Sequence, residues 1–377
     1  LCLISIVEVF SAASTLTYKS GDHWGPITQH SIILMVGAVV VVFMHNIPYK
    51  WFQVFPVFLY PVSLVLLAFV TLMGIITGDR VNGAARWMTF MGLQFQPSEL
   101  AKMAVIIAVS FILSKKQDEY GANPKAFKYI MILTGLVLLL IAPENLSTAM
   151  LLFGVVFMMM FIGRVAAKKL LLLAGGLVLI VALGVGTVVA IPAKTLHNTP
   201  GLHRLETWQN RIKGFFDKDE VPAAKFDIDK DAQIAHARIA VATSHVVGKG
   251  PGNSVQRDFL SQAFSDFIFA IIIEELGLIG GAFVVFLYVC LLIRVGRIAK
   301  KCERTFPAFL IIGIALLLVS QAIFNMMVAV GLAPVTGQPL PLISKGGTST
   351  LINCAYIGMI LSVSRYTARL EEQKEHD

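Results

Sequence analysis

Three groups of residues stand where charge or open backbone is costly, and each suggests chemistry. The first is Asn82-Gly83-Ala84-Ala85-Arg86-Trp87, followed by Gln96-Pro97-Ser98-Glu99-Leu100-Ala101-Lys102. Pro97 suits a first helical turn, and the helix dipole favours Glu99 close behind it. Glu99 and Lys102 are three apart and can meet on one helix face, as a structural ion pair or as substrate contacts. Arg86 beside Trp87 is either an interfacial anchor or a phosphate ligand using its planar fork of donors. The second group centres on Asp266 in Ser265-Asp266-Phe267-Ile268-Phe269-Ala270. By residue type alone a helix N-cap is the better reading of Asp266, with chemistry as the competitor. Glu274 and Glu275 follow, facing a polar cavity or a neighbouring helix, or serving a proton relay or ion coupling. The third group runs from Asn325 through Gly331–Pro341, with Thr336, to Ser344-Lys345-Gly346-Gly347-Thr348. Its prolines and glycines cannot continue a helix and predict a shaped rim or re-entrant loop. Backbone of that kind survives at membrane depth only when buried or lining a wet cavity. Gly346-Gly347 ahead of a helix offers N–H groups to an anion.

The elements that must hold these residues follow from composition. The 377 residues are 56% hydrophobic and 14% charged, with a mean hydropathy of +0.75. A soluble domain carries about 25% charged residues. The apolar runs are continuous and about 20 residues long, the length of a bilayer-spanning helix. They lack the alternation of an outer-membrane barrel. The sequence predicts an all-α integral membrane protein with about ten spans. They cover 1–17, 29–47, 52–77, 94–114, 127–142, 144–163, 169–192, 264–293, 306–332 and 346–365. The eighth is long and is expected to start as a tilted or interfacial segment. A very tight turn at Pro143-Glu144-Asn145 joins the fifth and sixth. The first run opens at Leu1 without a basic start, so it reads as a span rather than a cleaved signal peptide, and the natural N-terminus is expected to be missing.

Charge sets the orientation. Lys115, Lys116, Lys125 and Lys128, then Arg164, Lys168 and Lys169, then Arg294, Arg297, Lys300, Lys301 and Arg304 fall in alternate loops, and Arg365, Arg369 and Lys374 in the C-terminal tail. That side is expected to be cytoplasmic, with both termini inside and the loops 78–92, 193–263 and 333–345 outside. The net charge of +8 thus serves topology and not nucleic acid. The chain reads as one polytopic domain, 1–377, with a large outer loop at 193–263 between the seventh and eighth spans. Within that loop, 202–217 has the spacing of an amphipathic helix, lying on the membrane or packed on the protein itself. A second helix is expected over 231–246, followed by a glycine-rich turn at Gly248–Gly252. Cys2, Cys290, Cys302 and Cys354 form no CxxC and predict neither disulfides nor a metal site.

The segments NGAARW (82–87), QPSELAK (96–102), DFIFA and EELG (266–270 and 274–277) and PVTGQPLPLISKGG (334–347) together resemble the SEDS family, the polytopic peptidoglycan glycosyltransferases. The likeness covers nearly the whole chain, starting from Phe10-Ser11-Ala12-Ala13-Ser14. Gly250–Gln256 is more similar to the division branch than to the elongation branch. The resemblance implies polymerisation of lipid II on the outer face of the inner membrane, at the division septum. The growing glycan on undecaprenyl pyrophosphate is the donor, and the 4-hydroxyl of an incoming GlcNAc is the acceptor. It implies Asp266 as general base, which moves the weight on that residue from cap to catalysis. It implies Arg86 and Lys102 as support for the leaving pyrophosphate, with Glu99 orienting Lys102. Asn82, Trp87, Gln96, Ser98, Gln233, Thr336, Ser344, Lys345, Gly346 and Gly347 join these as expected substrate-binding positions. A divalent cation, Mg or Mn, would be expected only with the substrate pyrophosphate. The implied partners are a class B penicillin-binding protein (a transpeptidase), other divisome proteins and membrane lipid. Three stretches depart from the family pattern: Ser261–Ser265 lacks the usual Glu and His, Asn145 stands where an Asp is usual, and Lys345 replaces a Tyr.

A lipid II flippase is the competing class, and a non-catalytic division scaffold a third. A flippase needs a charged path through the whole membrane. Here the charges gather at one rim, which favours the transferase.

Overall fold

The computed structural model describes residues 1–12, 25–76, 88–90, 93–118, 121–190, 209, 232–260 and 265–376. Asn82, Arg86 and Trp87 lie outside the described residues, as does the expected surface helix 202–217 apart from Gln209. In chain order the helices are α1 Cys2–Ala12, α2 Gly25–Asn46, α3 Phe55–Ile76, α4 Pro97–Lys115, α5 Pro124–Ile141 and α6 Leu146–Ile162. They continue with α7 Ala167–Ala190, α8 Ala232–Ala242, α9 Ile268–Lys301, α10 Thr305–Ala329 and α11 Thr348–His376. All but α8 fall on the expected spans, and seven are long and apolar enough to cross a membrane. The helix expected over 231–246 is α8. Two small antiparallel hairpins were not expected: Met88–Phe90 with Leu93–Phe95, and Gln117–Asp118 with Gly121–Ala122.

Burial separates the centre of the bundle from its edge. Of α4 and α10, 78% and 67% of the apolar span is buried, against 6% of α7. The two central helices pack Ile106, Ile107 and Leu113 against Leu310, Ile311 and Ile314, all fully buried. In hydrocarbon, apolar area gives little reason for helices to associate, so close packing and buried polar contacts hold such a bundle together. The polar contacts here collect at one end of α4 and α10.

The expected eighth span needs correction. The helix runs from Ile268 to Lys301 and is broken at Gly277, whose φ of 72° and ψ of −174° lie outside the helical region. The break frees backbone donors, and the outer loop takes them up: Leu278 N and Ile279 N donate to His245 O and Val246 O, both at 3.3 Å. In return Lys249 N and Gly250 N donate to Glu274 O and Glu275 O, at 3.0 and 2.8 Å. Residues 278–301 alone rise about 36 Å at ~1.5 Å per residue, enough to span a bilayer. The preceding arm, 268–275, is buried against its own protein. No side chain fits where loop and helix cross. A Cβ on Gly248 (φ +78°) would lie 2.3 Å from Gly277 N, and one on Gly277 would lie 2.3 Å from Val246 O. Gly248→Ala and Gly277→Ala are therefore expected to lower stability by more than ~1 kcal/mol each. Gly176→Ala in α7, where a Cβ meets nothing within 4 Å, should be neutral or stabilising. Thermal unfolding in detergent checks all three; equal melting points would contradict the crossing.

Candidate active site

The site is built from the start of α4, one face of α10, and the loop between α10 and α11. Gln96 caps α4 in extended conformation and Pro97 takes the first turn. One turn on, Lys102 is fully buried with its Nζ 2.8 Å from Glu99 Oε1. The same Nζ donates to Gln321 Oε1 at 3.1 Å. The three-residue spacing thus produces the expected ion pair, deep in protein. Glu99 Oε2 and the Ser98 hydroxyl are buried without hydrogen bonds among the described residues.

Gln321 and Asn325 are four residues apart on α10, so they share a face. Both hold the loop. Gln321 Nε2 donates to Pro339 O at 3.1 Å and Asn325 Nδ2 to Gln338 O at 2.8 Å. On the opposite side Gln338 Nε2 donates to Thr148 Oγ1 at 2.6 Å, and Ser147 Oγ to Thr336 O at 2.8 Å. Tyr288 of α9 donates its hydroxyl to Pro341 O. The loop is rigid enough to keep Leu342, a non-glycine residue, at φ 65°. Such a conformation persists only where the surroundings over-determine it.

Asp266 is fastened to this loop through main-chain atoms. Asn325 Nδ2 donates to Asp266 O at 3.0 Å. Ser344 Oγ donates to Ser265 O at 2.6 Å and accepts from Leu340 N at 2.7 Å. The Asp266 carboxylate accepts from Ser265 Oγ at 3.2 Å and remains partly exposed. The cap reading of Asp266 is corrected here: Phe267 holds the N-cap position of α9, with no side-chain cap bond. Asp266 and Lys102 are thus both tied to this loop through one face of α10, the first by Asn325 and the second by Gln321; Asp266 is partly exposed and Lys102 is sealed.

The other expected residues take different places. Lys345 is half-buried, and burial pushes its ammonium below the usual lysine range. Gly346 and Gly347 precede α11, with Gly347 at φ 51°. Gln233 lies partly exposed on α8. Asn145 caps α6, accepting from Thr148 N at 3.2 Å, and its Oδ1 lies 2.9 Å from Ser147 Oγ. An amide performs that cap as well as an acid would. Gln96, Ser98, Glu144 and Asn145 border a crevice of about 20 Å³, room for a single water.

Glu274 and Glu275 are both fully buried and clasp the outer loop. Glu274 binds Lys249 Nζ and Ser254 Oγ, both at 2.5 Å, and Val255 N at 3.2 Å. Glu275 accepts from Gly252 N at 2.9 Å, Ser254 N at 3.2 Å and the Ser11 hydroxyl. Arg257 Nη1 lies 3.8 Å from it. These partners account for both carboxylates as anchors, so the relay reading draws no support from the structure. Among the described residues no three His, Cys, Asp or Glu gather to hold a metal.

The sequence reading missed Gln321, Ser147 and Thr148. The signal for Gln321 was present: an amide inside an apolar helix, one turn before Asn325, must find a buried partner.

Comparison with known proteins fits this arrangement. Residues 1–369 match the model of the FtsW, RodA and SpoVE family, described as cell cycle proteins. The probable peptidoglycan glycosyltransferase FtsW of Trichlorobacter lovleyi is 33% identical over 362 residues, covering 95% of this chain and 89% of that one. Its namesake from Halomonas elongata is 32% identical, covering 99% and 90%. Among solved structures, one from "Structural coordination of polymerization and crosslinking by a peptidoglycan synthase complex" has a TM-score of 0.70 at 25% identity, covering 96% of each chain. The rod shape determining protein RodA of Thermus thermophilus shares the fold, with a TM-score of 0.62 at 23% identity over 97% of this chain and 94% of that one. With a family match over nearly its whole length, the chain belongs to the FtsW, RodA and SpoVE family of cell cycle proteins.

Proposed function

We propose that the chain is a peptidoglycan glycosyltransferase that polymerises lipid II at the outer face of the bacterial cytoplasmic membrane, with Asp266 as general base. The observation that carries this reading is the partly exposed Asp266, fixed by its backbone to a loop that the buried Lys102 and Gln321 support from behind. Curated relatives of similar length bear the name peptidoglycan glycosyltransferase.

In the reaction, the 4-hydroxyl oxygen of the acceptor GlcNAc attacks C1 of the donor MurNAc. The new glycosidic C1–O bond forms as the bond from C1 to the pyrophosphate oxygen breaks, and the undecaprenyl pyrophosphate leaves with the electron pair. The hydroxyl proton passes to the Asp266 carboxylate. A base placed in this way contributes about 10²–10⁴-fold. Charge develops on the leaving oxygen, so nearby cations lower the barrier. Lys102 has no exposed side-chain surface and is engaged by Glu99 and Gln321. Its part is to support the loop, while the leaving group is met by Lys345 and Arg86.

The position of the site suits the outer face. α4 begins at the site and ends at Lys115, and α10 begins beside Arg304 and ends four residues beyond Asn325. Basic residues therefore mark the opposite end, as expected of a cytoplasmic side. The Gly250–Gln256 stretch and the FtsW names of the relatives favour a role in division at the septum. Exposed apolar residues of α9, among them Phe283 and Phe286, suit lipid or the single membrane helix of a class B penicillin-binding protein.

The test uses the purified full chain with its partner and labelled lipid II. Wild type should build glycan polymer and Asp266→Ala should not. Equal polymerisation by the two would overturn the assignment. Lipid II crossing liposomes without polymer would support the flippase instead.

A further inference from the structure

We propose that Ser5 and His30 are positioning residues for Asp266, holding the back of the loop whose front holds the aspartate. The proposal rests on the reading of Asp266 as general base. Its geometry stands apart from that reading.

Ser5 on α1 is fully buried, and its Oγ lies 2.6 Å from Ile343 O and 2.8 Å from His30 Nε2. A hydroxyl has one proton to donate, and a carbonyl oxygen can only accept. The Ser5 proton therefore goes to Ile343 O, and His30 Nε2 must carry the proton donated to Ser5. This sets the tautomer of His30. The ring is fully buried, and its Nδ1 has no hydrogen-bond partner among the described residues. A second ring proton would find no acceptor there, so the neutral Nε2–H form is the one the site accommodates. The result is a directed chain: His30 to Ser5 to the carbonyl of Ile343.

The next residue in the loop faces the other way. Ser344 Oγ donates to Ser265 O at 2.6 Å, beside Asp266. Two consecutive loop residues thus connect α1 and α2 on one side with the aspartate on the other. α1 makes a second attachment two turns later. Ser11 donates to Glu275, and Arg257 Nη1 donates to Ser11 Oγ at 2.8 Å. Glu275 lies at the end of the buried arm of α9, which starts at Ile268, two residues after Asp266. Asp266 therefore lies between two points tied to the first helix, one on the loop and one on the arm.

Steady-state polymerisation by the purified full chain tests this, with thermal unfolding as the fold control. Ser5→Ala and His30→Ala should lower turnover about ten- to a hundredfold, the scale of a small misplacement of a catalytic group. The apparent KM for lipid II should stay within about twofold, because neither residue touches substrate. His30→Gln keeps an N–H donor near the position of Nε2 and should recover most of the turnover. A rise in KM at unchanged turnover would overturn the proposal, as would His30→Gln performing no better than His30→Ala. Hydrogen–deuterium exchange provides a readout independent of activity. In both alanine variants exchange should rise in 338–347 and 265–270 and stay level in α5. Unchanged exchange in those two segments overturns the positioning role, whereas wild-type activity in Asp266→Asn would overturn only the general-base reading.

Discussion

Asp266→Asn is expected to slow lipid II polymerisation by about 10²–10⁴-fold, the usual contribution of a positioned general base. The fold should survive nearly unchanged. Two contacts at this position, from Asn325 to Asp266 O and from Ser344 to Ser265 O, use main-chain oxygens. An asparagine keeps both and can still accept from Ser265 Oγ. What it loses is the basic carboxylate. The loss should therefore appear in turnover and not in lipid II affinity or melting temperature, the signature of an interaction made only in the transition state. Glycan yield over time, read beside a thermal melt, checks this. A variant that polymerises like wild type would leave Asp266 with a purely structural place.

Lys102→Met is expected to cost about 3–5 kcal/mol of stability, because breaking a buried ion pair leaves its partner charged and uncompensated. The pair is sealed, with side-chain exposures of 0% for Lys102 and 3% for Glu99. Among the described residues Glu99 already has one oxygen without a hydrogen bond, so the remaining carboxylate would lose its ion-pair partner there. Glu99→Gln together with Lys102→Met should regain most of the loss, since no buried charge remains. Denaturant or thermal unfolding of the single and double variants measures the coupling. If Lys102→Met melts like wild type, the pair is not buried in the working protein.

The spans were readable because hydrocarbon tolerates no open backbone and so demands long apolar helices. The Glu99–Lys102 pair was readable for an equally local reason, its spacing on one helix. The break in α9 was not. Glu274-Glu275-Leu276-Gly277-Leu278-Ile279-Gly280-Gly281 offers several glycines, and the one that breaks is chosen by the loop 245–250, which pairs with the freed backbone. Gln321 marked itself as a buried amide, but its partner Lys102 lies 219 residues away. Asp266 looked like a helix cap because Asp caps well, yet the chain turns one residue later and gives that place to Phe267. Ser5 and His30 drew no attention, since single polar residues in apolar spans become informative only once their neighbours are known. Glu8, one turn beyond Ser5 and fully buried with neither oxygen hydrogen-bonded among the described residues, was passed over for the same reason.

The central claim is that one site, at the end of the bundle away from the basic loops, joins lipid-linked sugars presented from that side. The most direct measurement is sided polymerisation. The chain is reconstituted with its partner in liposomes of a single orientation, and labelled lipid II is loaded into one leaflet at a time. Glycan should form when lipid II occupies the leaflet at the Asp266 end and be absent when it occupies only the leaflet of Lys115 and Arg304. Equal polymer from either leaflet, or passage of lipid II across the bilayer with no polymer, would contradict the account.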